Sequence, residues 1–501
     1  MNKKLIVLLV LIVVVGAGLR LARVNREFLG NFAQHQTFYA TVVSNFIEDG
    51  INPSLPLTKF IGNGRQRPFL GDLPLTVTFV AILCKITGFS IETWGRGLSV
   101  VFYLLCLYPL YKVVFALSEN KSAAFWSLIL FLFSPLLIVY GQSFLLEVPA
   151  LCLLIWSLYY LFKWREEGGD RFLIISAILV AFSIALRMYY SFYLVPVVYL
   201  FFNKYNWNVW RNRQPYIFFI LALSVVITWQ IYASHAAREY NAITSLQDNL
   251  VVFNVTHNFP DPVLFRLDFY KTCIDTLMAK AVTPVGVIMA CLGIFFISPK
   301  ERRVFIILYL AAFVSMFLVA PRKFYEFDFY YIPLVPVICI LAGNGFAKLM
   351  DRNGIRGFVY VMLGLIIILA MRHSLAPAFI TPAEDRNVLR ASSYVKEIVP
   401  KHSRIIALHG SSVDFLHYCN RVGWTFDIRD NMPTPVRFYQ DSIGSAVERL
   451  ERLRQQGAEF FTVADKEVLK ENPILLNCLM QRYRLILEKD DVVIFDLREI
   501  R

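Results

Sequence analysis

The sequence lacks the motifs that mark many nucleotide-dependent and hydrolytic enzymes. It contains no Cys-x-x-Cys pair, no glycine-rich phosphate loop, no His-Glu-x-x-His and no Gly-x-Ser-x-Gly. The cysteines are scattered, mostly inside apolar runs, which argues against a zinc site and against a disulfide framework. The missing loop and catalytic motifs count against a nucleotide-hydrolysing transporter, a zinc protease and a serine hydrolase. Any catalytic chemistry therefore has to come from residues outside these motifs.

Charged residues are also scarce. Only 17% of the 501 residues are charged and 57% are hydrophobic, against roughly 45–50% apolar in soluble domains. The mean hydropathy is +0.53, and the apolar residues form long runs, which predicts a multi-spanning membrane protein. The net charge of +13 comes from short basic clusters between these runs. Orientation in the bilayer explains such clusters more simply than nucleic acid does, so we expect no nucleic-acid partner.

The apolar runs number about twelve. They cover residues 5–22, 73–88, 94–117, 122–141, 146–162, 172–186, 189–202, 215–233, 277–298, 304–320, 329–347 and 357–371. The first run has a basic start but no small-residue cleavage site, so we interpret it as an uncleaved span rather than a signal peptide.

The basic clusters predict the orientation of the chain in the membrane. They are Lys3 and Lys4; Lys112 and Lys121; Lys163, Arg165 and Arg171; Lys204, Arg211 and Arg213; Lys300, Arg302 and Arg303; and Lys348, Arg352 and Arg356. All of them face the cytoplasm only if residues 73–88 lie along or dip into the membrane without crossing it. That run is short and contains Lys85. We therefore predict about eleven spans and a cytoplasmic N-terminus.

This orientation places the unusual polar segments on the external face. They are residues 24–93, the turns at Glu147 and Arg187, the loop 234–276, the stretch 321–328 and everything after about residue 372. We predict a membrane module at 1–372 and a soluble domain at 373–501. In that tail, RIIAL, EFFTVAD and DVVIFDL have the composition of strands, whereas SAVERLERLRQQG predicts a helix that ends at Gly457.

The stretch HQTFYATVVSNFIEDG at residues 35–50 predicts an amphipathic helix in the first external loop. Its apolar residues recur at helical spacing, and Gly50 supplies a stop. A helix of about four turns is too short to span a bilayer, so we expect it to lie on the surface. His35 at its start is either a hydrogen-bonded structural histidine or a base. Asp72, before the run at 73–88, is either a helix cap or a functional carboxylate.

Two charged residues lie where one apolar run ends and another begins. Glu147 opens a span, and Pro149 suits the first turn of a helix there. It is either a favourable charge at the helix N-terminus or an acid or base at the membrane face. Arg187 interrupts two apolar runs, and it either snorkels to the interface or binds a lipid phosphate.

The stretch PRKFYEFDFYYIPLVPV concentrates polar and aromatic residues at the outer end of a later span. They are Arg322, Lys323, Tyr325, Glu326, Asp328, Tyr330 and Tyr331. The two basic residues break the positive-inside rule, which favours an anionic partner such as the phosphate of a polyprenyl lipid. The alternative is an interfacial aromatic belt with incidental charges.

In its order of features the chain resembles the GT-C membrane glycosyltransferases. The resemblance is to the bacterial family-39-like branch related to protein mannosyltransferases and aminoarabinose transferase, over roughly residues 1–350. The tail pattern RIIALHGSS, FLHYCNRVGW and LRQQGAEFFTVAD is similar to the external domain of one bacterial subgroup. The resemblance implies a polytopic α-helical GT-C fold with a small C-terminal α/β extracytoplasmic domain in the bacterial inner or plasma membrane.

The resemblance also implies a reaction and a site. Such enzymes transfer a sugar, usually with inversion, from a polyprenyl-phosphate donor to a glycan, lipid or protein acceptor on the external face. The acidic residue of the family's first loop falls at Gln34, His35 and Gln36, so the chain departs from the pattern there. Asp72 matches the acidic residue before the family's second surface helix, and Glu147 matches the acidic residue of its second external loop. Lys323, Tyr325 and Glu326 match the polar stretch before the aromatic span. Arg187 matches a lysine between the paired spans.

From these observations we predict the following site. His35, Asp72 and Glu147 are catalytic; Arg187, Arg322, Lys323 and Tyr325 bind the donor phosphate; and Gln36 and Glu326 position the acceptor. A divalent metal stays open, because carboxylates are present without metal-ligand spacing. Two alternatives are a transporter or flippase of lipid-linked sugars and a non-catalytic scaffold that presents the tail domain.

Overall fold

The computed structural model describes residues 3–30, 32–62, 64–244, 261–297, 300–351, 356–381, 383–409, 413–428 and 444–500. The contacts divide the chain into two compact units. The first, here called the helical unit, comprises Met1–Asn25, Gly95–Tyr232 and Asn249–Phe379. The second, here called the sheet unit, comprises Arg26–Trp94, Ala233–Asp248 and Ile380–Arg501.

The helical unit is built from apolar helices and short 3-10 turns. Its α-helices include Lys3–Leu21, Leu107–Ser118, Lys121–Leu132, Pro135–Tyr140, Glu147–Glu167, Asp170–Leu186, Leu194–Tyr205, Leu267–Thr276, Thr283–Gly293, Lys300–Val319, Pro321–Glu326, Val335–Met350 and Arg356–Phe379. Shorter 3-10 or π turns are Met188–Tyr193, Asn206–Arg211, Pro262–Phe265, Leu277–Ala281, Ile294–Phe296 and Asp328–Leu334. Two further helices, Ile91–Leu105 and Arg213–Tyr240, contain residues of both units.

Among the described residues, 5 helices are long and apolar enough to cross a membrane, or 6 if one pair bent by 93° counts as a single span. The topology of about eleven spans stays a prediction. Residues 73–88 form the helix Leu75–Thr87 of 13 residues. At about 20 Å, a helix of this length does not reach across a hydrocarbon core of about 30 Å.

The apolar run 122–141, predicted as continuous, is broken. The helix Lys121–Leu132 ends before Ser134, and Pro135 begins the next helix. Proline has no N–H and its ring disfavours helical geometry in the preceding residue, which explains the break. Arg20 is fully buried beside it and donates to the carbonyls of Leu132 and Leu137, both at 3.1 Å. The helix Lys3–Leu21 thus supplies a donor to the Leu132 carbonyl, at the end of the helix that the break terminates.

The sheet unit contains a seven-stranded sheet in the order β2-β1-β4-β3-β5-β7-β6. Its strands are β1 Leu57–Gly62, β2 Arg65–Pro68, β3 Ile405–Leu408, β4 Gly423–Thr425, β5 Phe460–Val463, β6 Tyr483–Lys489 and β7 Val492–Ile500. The helices of this unit are Ala33–Asp49, Leu75–Thr87, Ala383–Ile398, Asp414–Cys419, Ala446–Gln455, Lys466–Lys470 and Pro473–Arg482.

The strands and the helix predicted in the tail are confirmed. RIIAL, EFFTVAD and DVVIFDL contain β3, β5 and β7, and Ser445 caps the helix Ala446–Gln455 in a capping box with Glu448. Strands β3, β4 and β5 are parallel, and β7 is antiparallel to both β5 and β6. Both faces of this sheet are buried under separate apolar clusters, as expected when helices cover a parallel sheet on each side.

The sheet is larger than the tail alone. The hairpin of β1 and β2 comes from the first loop, and β1 pairs in parallel with β4 at Phe60 and Gly423. Segment 241–244 also reaches this hairpin, since Arg67 donates to the carbonyl of Asn241 at 2.8 Å. The predicted domain boundary at residue 372 does not anticipate this exchange between distant segments, and it stays a prediction.

Candidate functional site

Glu147 and Arg187 form a buried ion pair in the helical unit. Glu147 has no exposed surface, and its Oε1 lies 2.6 Å from Nη2 of Arg187. Leu146 occupies the N-cap position, so Glu147 is the first residue of its helix, and Arg187 follows the last residue of Asp170–Leu186 in an extended conformation. The sequence predicts both residues on the external face, and the structure brings them into direct contact.

The helix pair explains why the two residues meet. Glu147–Glu167 and Asp170–Leu186 are joined by Gly168 and Gly169, both at positive φ, a tight turn that favours glycine. The two helices pack against each other, and Ser183 donates to the carbonyl of Ala150 at 2.8 Å. In such a hairpin the start of the first helix lies beside the end of the second, which brings Glu147 to Arg187.

The loop before Glu147 is held by the helix Ile91–Leu105. Arg96 is fully buried and donates to the carbonyl of Gln142 at 2.9 Å, while Ser99 donates to that of Ser143 at 2.7 Å. Gly95 allows the close approach of Phe144, because a Cβ at this position would lie 2.7 Å from that ring. The sequence reasoning missed Arg96, although a charged residue inside an apolar run was a visible signal.

Tyrosines surround the continuation of the chain after Arg187. The rings of Tyr189 and Tyr330 lie 5.0 Å apart, and those of Tyr193 and Tyr309 lie 4.5 Å apart. Tyr190 donates to the backbone carbonyl of Glu147 at 3.2 Å. The predicted aromatic stretch at 325–331 therefore lies next to the turn at Arg187.

A second carboxylate lies close to this aromatic group. Asp328 accepts a hydrogen bond from the Tyr140 hydroxyl, and its other oxygen lies 2.8 Å from Nζ of Lys280. The side chain of Asp328 is 10% exposed and that of Lys280 is 52% exposed. Lys280 was not predicted as a site residue, since nothing in the local sequence relates it to a residue 48 positions away.

The remaining donor-phosphate candidates lie on the short helix Pro321–Glu326. Arg322 is paired with the buried Asp261, with 2.8 Å between Nε and Oδ2. Nζ of Lys323 lies 5.5 Å from the centre of the Phe327 ring, and Tyr325 is 42% exposed. Glu326 is exposed at the end of the helix. Arg322 therefore has a protein carboxylate as a partner, which the sequence reasoning did not anticipate.

The first-loop candidates lie in the sheet unit. Helix Ala33–Asp49 follows Phe32, whose ring packs edge-on against His35 at 5.8 Å, and Gln36 is 2% exposed. One turn later, Tyr39 donates to Oδ2 of Asp72 at 3.0 Å. Asp72 does not cap the following helix, because Pro74 holds the N-cap position. The structure thus brings Asp72 to the helix that carries His35.

The far end of this helix carries a second charged cluster. Oε2 of Glu48 lies 3.5 Å from Nζ of Lys59, which is 2% exposed. Burial alone would raise the pKa of the Glu48 carboxyl, but the hydrogen bond from Asn420 and the charge of Lys59 outweigh it and hold this pKa below its usual range. Burial lowers the pKa of the Lys59 ammonium, and attraction by Glu48 offsets only part of that effect.

Three solved structures are similar to this chain over most of its length. ArnT from Cupriavidus metallidurans bound to undecaprenyl phosphate is 12% identical, with a TM-score of 0.65 and 97% of each chain covered. AglB from Archaeoglobus fulgidus, in complex with an inhibitory peptide and a dolichol-phosphate, is 11% identical, with a TM-score of 0.54 and coverage of 98% of this chain and 74% of that chain. The arabinofuranosyltransferase AftD from Mycobacteria is 12% identical, with a TM-score of 0.58 and coverage of 99% and 40%.

The chain has the GT-C glycosyltransferase fold. Residues 67–232 also match the profile of the dolichyl-phosphate-mannose-protein mannosyltransferase family. No curated protein sequence gives a significant match. The predicted fold class, a GT-C helical membrane protein with a small C-terminal α/β domain, is confirmed.

Within this GT-C fold the described residues contain no group of three or more His, Cys, Asp or Glu side chains that could hold a metal ion. Three carboxylates of the helical unit have basic partners: Glu147 has Arg187, Asp261 has Arg322 and Asp328 has Lys280.

Proposed function

We propose that this protein is an integral-membrane glycosyltransferase that moves a sugar from a polyprenyl-phosphate donor to an acceptor on the external membrane face. The observation that carries the proposal is the buried Glu147–Arg187 pair at the start of an apolar helix in a GT-C fold. Two similar structures support a lipid-phosphate donor: ArnT is bound to undecaprenyl phosphate, and AglB is in complex with a dolichol-phosphate. The acceptor is a glycan, a lipid or a protein.

The reaction needs a base and a cation. An acceptor hydroxyl or amide attacks the anomeric carbon, the bond from that carbon to the phosphate oxygen breaks, and the polyprenyl phosphate leaves with the bonding electrons. A base takes the acceptor proton, and cations stabilise the charge that develops on the phosphate. Attack opposite the leaving group inverts the anomeric centre. The transferred sugar is a hexose or a pentose.

We assign these roles to the residues of the predicted site. Arg187 is the first cation for the phosphate, because its guanidinium can bind phosphate oxygens in a bidentate manner. Lys323 and Tyr325 add further donors. Arg322 uses Nε and Nη2 for Asp261, so its other guanidinium edge serves the phosphate.

The base is one of three predicted residues: the imidazole of His35 or the carboxylate of Asp72 or Glu147. A neutral histidine suits proton abstraction near pH 7, which favours His35 where the family has an acidic residue. Gln36 and Glu326 position the acceptor through hydrogen bonds. We place the protein in the bacterial inner or plasma membrane with the N-terminus in the cytoplasm and the tail domain outside.

A transfer assay tests the proposal. Purified protein is incubated with a panel of polyprenyl-phosphate sugars and membrane extract, and sugar transfer is followed by radiolabel or mass detection. Glu147→Gln keeps the size of the side chain and removes its charge, so we expect kcat to fall by about 100-fold or more. Glu166→Gln, at an exposed position of the same helix, is the matched control.

The outcomes separate the residue from the function. Full activity of Glu147→Gln would exclude an essential role for this carboxylate while leaving the enzyme class intact. Lack of transfer and of donor hydrolysis by the wild-type protein with every donor would contradict the proposed function.

A further inference from the structure

A short helix of the tail domain lies against the first-loop helix Ala33–Asp49, within the sheet unit. The helix is Asp414–Cys419, and the residue that ends it, Asn420, makes the contact. Nδ2 of Asn420 donates to Oε1 of Glu48 at 2.8 Å, and the hydroxyl of Ser44 donates to Oδ1 of Asn420 at 3.3 Å. The amide N–H group and the amide oxygen of Asn420 therefore both form hydrogen bonds with the helix Ala33–Asp49.

The Glu48 carboxylate links three segments at once. One oxygen accepts from Asn420 and the other faces Nζ of the buried Lys59 on β1. Strand β1 in turn pairs with β4, which begins three residues after Asn420. A hydrogen bond to a charged acceptor that is shielded from solvent on one side is stronger than a neutral surface bond.

The backbone at residue 420 explains why asparagine suits this position. Asn420 has φ of 51° in the left-handed region, where it ends the helix Asp414–Cys419. Asparagine and aspartate enter this region more readily than other residues with a side chain. The same residue can therefore end the tail helix and present an amide to Glu48.

The helix Asp414–Cys419 also contacts the chain just before the helix Ala33–Asp49 begins. The backbone N–H of Phe28, a fully buried residue, donates to the hydroxyl of Tyr418 at 2.5 Å. Tyr418 therefore contacts the chain before His35 and Gln36, at Phe28, and Asn420 contacts it after them, at Glu48.

We propose that Asn420 is a positioning residue of the tail domain: its hydrogen bond to Glu48 fixes the helix Ala33–Asp49 and thereby the location of His35 and Gln36. The tail domain then acts as a support for the first loop rather than as an independent module. The placement of the helix rests on the contacts alone. Its consequence for catalysis rests on the proposed function.

An exchange of donor and acceptor tests the inference. Asn420→Asp keeps the left-handed backbone accessible but sets a carboxylate against Glu48, and Glu48→Gln removes the charged acceptor. In the double variant the amide introduced at position 48 can donate to the carboxylate introduced at position 420, so the bond is restored with reversed direction. Asn477→Asp, at an exposed position of the tail helix Pro473–Arg482, is the matched control.

Amide hydrogen exchange of residues 33–49 in detergent-solubilised protein is the first measurement. We expect exchange to become about tenfold faster in Asn420→Asp, as loss of one charge-assisted hydrogen bond predicts. Glu48→Gln also takes the carboxylate away from the buried Lys59, so we expect exchange in the double variant to be slower than the sum of the two single-variant effects predicts. Asn477→Asp should exchange at the wild-type rate. The second measurement is kcat and donor KM, where we expect kcat to fall in Asn420→Asp with donor KM unchanged and to recover in the double variant.

The outcomes are distinguishable from those that concern the function. Wild-type exchange of residues 33–49 in Asn420→Asp, or additive effects of the two changes in the double variant, would overturn the inference. Restored exchange in proteins that show no sugar transfer at all would support the placement of the helix and would contradict the proposed function instead. A kcat that stays low in the double variant while exchange recovers would overturn the catalytic part.

Discussion

At the scale of single residues, the Glu147 side chain has no exposed surface, and its Oε1 lies 2.6 Å from Nη2 of Arg187. Removing one partner of a buried pair leaves an uncompensated charge, which typically costs about 3–5 kcal/mol. We therefore expect Arg187→Ala to lower the free energy of unfolding by about that amount. Combined with Glu147→Gln, the same change should cost clearly less, because no charge is then left unpaired.

Denaturant or thermal unfolding of the four proteins in detergent measures this coupling as a double-variant cycle. Equal losses for Arg187→Ala with and without Glu147→Gln would show that the pair contributes nothing to stability.

Sequence reasoning predicted Glu147 and Arg187 because a charge at the edge of an apolar run is visible in the chain itself. It did not predict Lys280 or Asp261 as partners, since their contacts to Asp328 and Arg322 span 48 and 61 residues. Reciprocal contacts of this kind depend on helix packing, which composition does not encode. The roles of all the predicted site residues stay predictions.

At the scale of elements, each apolar run predicted from the sequence coincides with one or two helices, and the errors lie at the breaks. The run 122–141 breaks before Pro135, and the run 277–298 bends before Pro284. Both prolines were visible in the sequence, so these two breaks could have been predicted. The close packing of the helices around Val335–Met350 could not, because it depends on which glycines face one another.

Two of those glycines give a prediction on helix packing. A Cβ at Gly343 would lie 2.1 Å from Oγ of Ser127, and one at Gly293 would lie 1.7 Å from the carbonyl oxygen of Leu341. We expect Gly343→Ala and Gly293→Ala each to destabilise the protein by about 1–3 kcal/mol or more, since the helices must separate to make room. Gly364→Ala, inside the helix Arg356–Phe379 with nothing within 4 Å, is the control and should not destabilise the protein, because alanine is the better helix former.

Midpoints of thermal unfolding in a single detergent would compare the three variants directly. If all three unfolded at the wild-type temperature, the helix Val335–Met350 would not pack against Lys121–Leu132 and Thr283–Gly293 as closely as described. If only Gly364→Ala unfolded at a lower temperature than the wild-type protein, the same conclusion would follow.

At the scale of the whole molecule, the strands of the tail were predictable from their composition, but the full sheet was not. Parallel pairing of β1 with β4 joins the first loop to the tail across most of the chain length. A parallel connection leaves no turn signal between its strands, in contrast to a hairpin such as β1–β2. The GT-C resemblance predicted an external domain for the same residues without indicating that the first loop would complete its sheet.

The last prediction concerns topology, which depends on residues 73–88. If this run does not cross the membrane, a chain cut after Gly88 and fused to alkaline phosphatase should be active, because the enzyme folds only outside the cytoplasm. A fusion after Asn120, which follows a span, should instead fluoresce with green fluorescent protein, which folds inside. The helix Leu75–Thr87 has 13 residues, and a span needs about 20.

The opposite result would change the function as well as the count. Fluorescence after Gly88 would mean that residues 73–88 span, and each later segment would then change sides. Glu147 and Arg187 would then face the cytoplasm, whereas the proposed acceptor lies outside. A donor whose phosphate is bound at Arg187 could not reach that acceptor. The fusion after Gly88 is therefore the measurement on which the external site depends.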